Sequence, residues 1–425
     1  MSTPIINVEI DFSSGASFAY PLELDNASYG ILDQNVLGDQ AADIVNITDQ
    51  VMKVSTRRGR NRILSNFEVG TATVTINDPL SWFNPFNQDS PYVGKLVPLR
   101  KIRIYATMVY EGNPIEVNIF SGYITSYDTN FYSNTDATST VTLQCADGFR
   151  LLNNVTTGPF PIPGATANQL SGERVNAILD LAGFPESMRD IDVGNSRMQV
   201  DPGGARSVLA AIQTIEQSEF GAFYMERNGK AIFLDRNAVQ KSADIEPRYY
   251  SDTNQPGSLT YSNLDFAYDD QLILNDVTVT KYGNGSIPQN AFSAESVATY
   301  FTKSGQRSDI LVQTDQEADD QARTLLVARQ NADLRIDSML LNLYASTDDE
   351  SYLINLSSEI YSLVVISKLM PGGSFITREL FIQGVQHDIT PGTWNIKLLT
   401  AEPLIQAFIL DSQEQGILSV NNISY

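Results

Sequence analysis

The chemistry open to this chain is narrow, because its 425 residues include one histidine, His387, and one cysteine, Cys145. A Ser-His-acid triad would have to use His387, which stands between Gln386 and Asp388, and no nucleophile-elbow sequence accompanies it. A surface or interface histidine on a turn is the better reading. Cys145 alternates with Val141 and Leu143 and reads as a small core residue with no cation nearby to activate it. A disulfide within the chain and a His/Cys metal cluster are both excluded. The acids Asp315, Glu317, Asp319 and Asp320 lack the glycine and the distal glutamate of a calcium loop, so they read as the solvated start of a helix. Asp348-Asp349-Glu350 reads as an exposed loop. Gly283-Asn284-Gly285-Ser286, without a lysine or a following helix, reads as a loop tip rather than a phosphate cradle. Paired carboxylates for glycoside hydrolysis depend on a spatial separation that sequence does not give. The expectation is a protein that is not an enzyme and uses no cofactor or metal.

Charge is the more telling property. The formal net charge is −22, and residues 1 to 50 carry eight carboxylates and no lysine or arginine. Lys53, Arg57, Arg58, Arg60 and Arg62 follow at once. So acidic a chain repels nucleic acid, and no stacking aromatics interleave the basic cluster. Salt bridges between subunits are the favoured use of these five residues. The aromatic loop Trp82-Phe83-Asn84-Pro85-Phe86 supplies three further candidate contacts, Trp82, Phe83 and Phe86.

The elements that position these residues are mostly strands. Ile6 to Phe12, Ala72 to Ile76 and Lys101 to Tyr105 alternate apolar and polar residues, and Asn77-Asp78-Pro79 carries turn chemistry. Phe120-Ser121-Gly122-Tyr123-Ile124 followed by Thr140 to Asp147 has a later counterpart in Ile382-Gln383-Gly384-Val385-Gln386 followed by Asn395 to Glu402. One β unit is therefore written twice. Gly70 to Ile76 and Leu274 to Thr280 extend the match backwards, and the longer spacing of the second copy implies an insertion. Part of the insertion is a helix near 314–333, opened by the capping box Thr314-Asp315-Gln316-Glu317. The proline-rich stretch Gly158 to Gly164 reads as a linker. After it, helical spacing predicts helices from Ser171 to Ala182 and from Ala205 to Ser218, and Asn228-Gly229 predicts a tight hairpin. The expected fold class is mainly β with α+β insertions. Two tube-like antiparallel β-barrel domains, 1–152 and 251–405, flank a small α+β domain, 153–250, and 406–425 forms a C-terminal arm. No apolar run reaches the length of a membrane span and the N-terminus does not read as a signal peptide, which implies a soluble chain made in a cytoplasm.

The order Ser55-Thr56-Arg57-Arg58-Gly59-Arg60, then Phe67 to Asp78, then Phe120 to Ile124, resembles the minor tail proteins of long-tailed bacteriophages. The segment Ile212 to Arg236, with Ser218-Glu219-Phe220-Gly221 and the Asn-Gly hairpin, looks like the hub proteins of siphophage tail tips and baseplates. The resemblance covers about residues 50 to 402. It implies a virion structural protein at the distal tail tip, a homotrimer whose paired β-barrels form a ring of six and match a sixfold tube to a threefold tip. The implied partners are the distal tail protein, tail tube, tape measure and tail fibre or spike proteins, with phage DNA passing through the lumen without specific binding. The alternative is a distal tail ring or receptor- or glycan-binding adaptor. A glycan depolymerase is the third reading, though no lytic site is carried over.

Overall fold

A computed structural model describes residues 3–13, 15, 43–61, 66–130, 139–240, 246–253 and 255–403. Arg62, most of the acidic first 50 residues and the arm at 406–425 lie outside the described residues.

The described residues begin with seven strands: β1 (Ile5–Asp11), β2 (Ile44–Asn46), β3 (Val51–Gly59), β4 (Thr71–Asn77), β5 (Arg100–Tyr110), β6 (Asn113–Asn130) and β7 (Thr140–Ala146). A helical passage follows, with α1 (Phe149–Asn154), α2 (Ser171–Leu181), β8 (Arg189–Ile191), α3 (Val208–Glu219), β9 (Ala222–Met225), β10 (Ala231–Leu234) and α4 (Arg236–Gln240). Next come β11 (Arg248–Ser251), β12 (Asn263–Ala267), β13 (Asp276–Lys281), β14 (Gln289–Phe292), α5 (Ala294–Tyr300), β15 (Ser304–Ile310) and α6 (Asp315–Arg329). The described chain closes with β16 (Arg335–Asn342), α7 (Asp349–Leu356), β17 (Leu363–Leu369), β18 (Phe375–Thr390) and β19 (Thr393–Ala401). The protein is mainly β, and its largest sheet has 13 strands, nearly all antiparallel.

That sheet contains the repeat. In the first half β5, β6, β7, β4 and β3 pair in that order, and in the second half β17, β18, β19, β16 and β12 do the same. The details coincide. The β6·β7 ladder slips one residue between Ile124 and Ser126, and the β18·β19 ladder slips between Ile382 and Gly384. Just before β5 and β17 stand Leu99 and Tyr361, with left-handed φ of 66° and 64°. Each donates its N–H to the equivalent isoleucine carbonyl, Ile124 or Ile382, at 2.7 Å. Left-handed backbone is costly for such residues, so a shared instance is a strong mark of common architecture. The bulges make Tyr123 the counterpart of Phe381, so the glycines Gly122 and Gly384 that invited the alignment are four residues out of step. The match of Ala146 to Ala401 holds.

The backward extension is corrected. Leu274 to Thr280 becomes β13, which pairs with β14 and β15 in a separate three-stranded sheet. The place of β4 is taken by β16: Thr73 opposes Gln144, and Ser338 opposes Leu399. Alternating Thr and Val fits any half-buried strand and does not encode its partner. The insertion thus lies between β12 and β16. Its α6 packs Ala318, Ala322 and Leu325 over Val277 and Val279 in a core of its own.

The helical passage has a second core. Val175, Ile178 and Leu179 of α2 meet Val208, Ala211, Ile212 and Ile215 of α3. Leu170 rather than Ser171 caps α2, and α3 starts at Val208, with Ser207 accepting from the Ala210 N–H at 3.1 Å. It stops at Phe220, which is left-handed, one residue before Gly221. The segment read as a linker is held at this core by buried Ile162, with Ala165 buried just after it. The Asn-Gly hairpin forms, but not with a two-residue turn. Gly229 alone has positive φ and donates to Glu226 O at 2.9 Å, the longer turn in which glycine takes the left-handed bulge position.

Candidate functional site

The residues singled out for charge converge where the two β units meet. Strand β3 pairs antiparallel with β18 from Gly59 opposite Gly384 to Val54 opposite Ile389. On β3 and just past its end, Val54, Thr56, Arg58 and Arg60 continue one period-two spacing, and all four are buried. That alternation was present in the sequence and marked the two arginines as inward-facing.

Arg58, 4% exposed, forms a bidentate pair with Glu359: Nη1 to Oε1 at 2.7 Å and Nη2 to Oε2 at 3.1 Å. Its Nε also donates to Ile119 O at 3.2 Å. The Arg227 backbone N–H donates to the same Glu359 at 3.4 Å, so the first unit, the helical passage and the second unit share one carboxylate. Arg60 donates to Gln383 Oε1 at 2.8 Å and to the Tyr361 hydroxyl at 2.7 Å, and its guanidinium lies 4.3 Å above the Phe67 ring. A planar, weakly hydrated guanidinium suits such a stack. Arg58 and Arg60 are therefore engaged with partners inside the chain. Arg57 is partly exposed on the opposite face, paired with Glu68 at 2.7 Å, and Lys53 is exposed. Arg62 lies outside the described residues.

The aromatic loop divides in the same way. Asp78 accepts from the Trp82 and Phe83 N–H groups at 2.8 and 2.9 Å, which turns Phe83 fully inward against Tyr92. Trp82 is half-buried and Phe86 is 87% exposed.

His387 is also relocated. It lies within β18 rather than on a turn, is buried, and accepts at Nδ1 from Trp394 Nε1 at 3.1 Å. Burial, with Arg58 and Arg227 contributing, holds its pKa down to about 3, so the imidazole stays neutral. Cys145 is buried on β7, which pushes its thiol pKa up. Asp147 follows directly on β7 and accepts from the Gly70 and Phe149 N–H groups at 2.8 and 3.0 Å. Burial outweighs those bonds and nearby Arg58 and raises its pKa to about 7. Asp348 caps α7 through the Ser351 N–H, and the Gly283–Gly285 stretch turns the chain with left-handed glycines. Among the described residues no three His, Cys, Asp or Glu side chains are grouped to hold a metal, and no helix is long and apolar enough to cross a membrane.

Sequence reasoning did not find Glu359, Tyr361 and Gln383, the acceptors that hold the junction. They sit about 300 residues from their arginines, a separation at which local pattern carries no partner information.

No protein-family model matches the sequence, and no curated protein matches it. Solved structures do. The tail protein from Neisseria meningitidis MC58 superposes over 95% of this chain and 98% of its own, with 10% identity and a TM-score of 0.56. The 43 kDa tail protein of prophage MuSo2 from Shewanella oneidensis covers 95% of this chain and 99% of its own, with 11% identity and a TM-score of 0.56. At such identities the likeness is one of architecture: over nearly its whole length this chain shares the fold of these two tail proteins.

Proposed function

We propose that the chain is a structural subunit of a bacteriophage tail, a homotrimeric hub at the distal end that matches a sixfold tube to a threefold tip and anchors fibre or spike proteins. The observation that carries this reading is the repeat itself: two equivalent five-strand units lie side by side in one sheet, joined by β3 and β18. Three such chains provide six equivalent units, and so satisfy both symmetries. The fold shared with two tail proteins agrees with it. The domain division at about residues 152, 250 and 405 belongs to the same proposal, as do Lys53, Arg57, Trp82 and Phe86 as contacts with neighbouring subunits or tail proteins. A net charge of −22 suits a lumen that lets DNA pass without holding it.

Mass photometry and cryo-electron imaging of the purified chain test the reading. The expected particle has three times the 46.8 kDa chain mass and a sixfold inner ring. A sixfold particle of six chains would instead support the alternative, a distal ring or adaptor, for which exposed Phe86 would be the contact.

A further inference from the structure

The two β units are equivalent in strand order but not in the state of their edges. β17 pairs with β18 only downstream of Tyr361; upstream of it the chain lies off β18, and the edge left open along Gly384 to Ile389 is filled by β3. Leu99 turns the chain away from β6 in the same manner. Among the described residues no strand takes up the corresponding edge, Ser126 to Asn130, and these residues are half or fully exposed, whereas Gly384, Val385, His387 and Ile389 are buried. The counterpart of β3 in the second unit is β12, because Ser55 opposes Thr73 as Asp265 opposes Ser338. Among the described residues β12 pairs only with β16, and it is exposed or half-exposed throughout. Among its described residues one protomer thus carries both halves of an unmade copy of its own internal joint.

We infer that β12 of one chain adds antiparallel to the Ser126–Asn130 edge of β6 in a second copy of this chain, repeating the β3·β18 joint between protomers. Transfer of that register places Asp265 opposite Asn130, because Ser55 opposes Asp388. The polar contact transfers with donor and acceptor exchanged. Within the chain the Ser55 hydroxyl donates to Asp388 at 2.7 Å; between chains the Asn130 amide donates to the Asp265 carboxylate. The joint is heterologous, head to tail, so it propagates around a ring. It also removes two exposed edges that would otherwise template uncontrolled pairing. Closure after three chains rests on the hub reading; the joint itself does not.

The test is cysteine cross-linking of the full chain in a Cys145→Ala background, with Asn130→Cys and Asp265→Cys introduced singly and together. Directly opposed residues lie within reach of a short bis-maleimide. The double variant is expected to give denatured species of two and three chain masses. Each single variant alone stays at one chain mass, and an equal mixture of the two gives covalent dimers. Both positions are exposed, and unchanged thermal unfolding of each variant confirms its fold. Native trimers with no cross-link in the double variant overturn the joint and leave the hub reading standing, as does self-linking of a single variant. Cross-linked rings of another chain number uphold the joint and overturn the trimeric hub. A chain that remains monomeric and unlinked at the highest concentration reached overturns both.

Discussion

Gly59 lies so close to Gln383 that a Cβ built on it would stand 2.3 Å from the Gln383 carbonyl oxygen and 2.5 Å from the Gly384 Cα, at a backbone φ of +99°. The two β units meet backbone to backbone there, with no room for a side chain. Gly59→Ala is expected to lower stability to urea by about 2–4 kcal/mol, since strain and overpacking add. Gly158→Ala, where nothing lies within 4 Å, is the control and should change stability by no more than about 0.5 kcal/mol. Equal effects at the two sites would show that the close approach does not constrain the fold.

Removing the acceptor of Arg58 should cost more than removing an ordinary surface acid. Glu359→Ala leaves a buried guanidinium without its bidentate partner, and a loss of about 3–5 kcal/mol in urea denaturation is expected. Arg58→Met combined with Glu359→Leu should recover most of it, because the desolvation cost goes with the charges. If the double variant is as unstable as the single one, the pair contributes by more than its charge.

The lone histidine makes a clean titration. Because His387 holds its neutral form to a pKa of about 3, its ring proton resonances should not move between pH 8 and 5. Its folded pKa lies below the unfolded value of roughly 6.5, so the unfolded chain takes up the proton first. Stability is therefore lost as pH falls below that value, by about 4–5 kcal/mol near pH 3. Trp394→Phe, which removes the donor to Nδ1, should cost about 1 kcal/mol at neutral pH.

Asp147 acts in the opposite sense. Its folded pKa, raised to about 7, lies above that of an unfolded aspartate, so the folded chain binds the extra proton. The penalty for burying the ionised form is absent below about pH 4 and complete above about pH 7, where it amounts to about 4 kcal/mol. The difference in unfolding free energy between wild type and Asp147→Asn should follow that curve across pH 4 to 7. A flat difference would show that Asp147 titrates normally. Comparison with a His387 variant separates the two opposed slopes.

What was legible in the sequence was local. The capping box at Thr314, the apolar faces of α2 and α3, and the hairpin at Gly229 all follow from spacing within a few residues; the capping box formed as read, while α3 began three residues later than its spacing suggested. The paired hairpins β6·β7 and β18·β19 were legible because their strands adjoin in sequence. The partner of β19 was not. On β16 the buried positions are Ile336, Ser338, Met339 and Leu341, a broken alternation opposite the bulge at Asp265 and Phe266, so the strand that completes the second unit is masked while unrelated β13 shows the cleaner pattern. The burial of Arg58 and Arg60 was not read from the sequence because a basic cluster in an acidic chain suggests surface, whereas their period-two spacing with Val54 and Thr56 points inward.

The joint between β3 and β18 also sets an order of events during synthesis. Arg58 and Val385 are register partners, so β3 waits for roughly 330 further residues before its second neighbour exists, and at ordinary elongation rates that is on the order of half a minute. The entropic cost of closing so long a loop grows only logarithmically, so the finished fold loses little by it. The nascent chain, by contrast, carries β3 with one edge paired to β4 and the other open, and with Glu359, Tyr361 and Gln383 not yet made, throughout that interval. Basic residues at an open strand edge disfavour pairing with other chains, and Glu359 and Gln383 are the acceptors that Arg58 and Arg60 meet once the second unit is made.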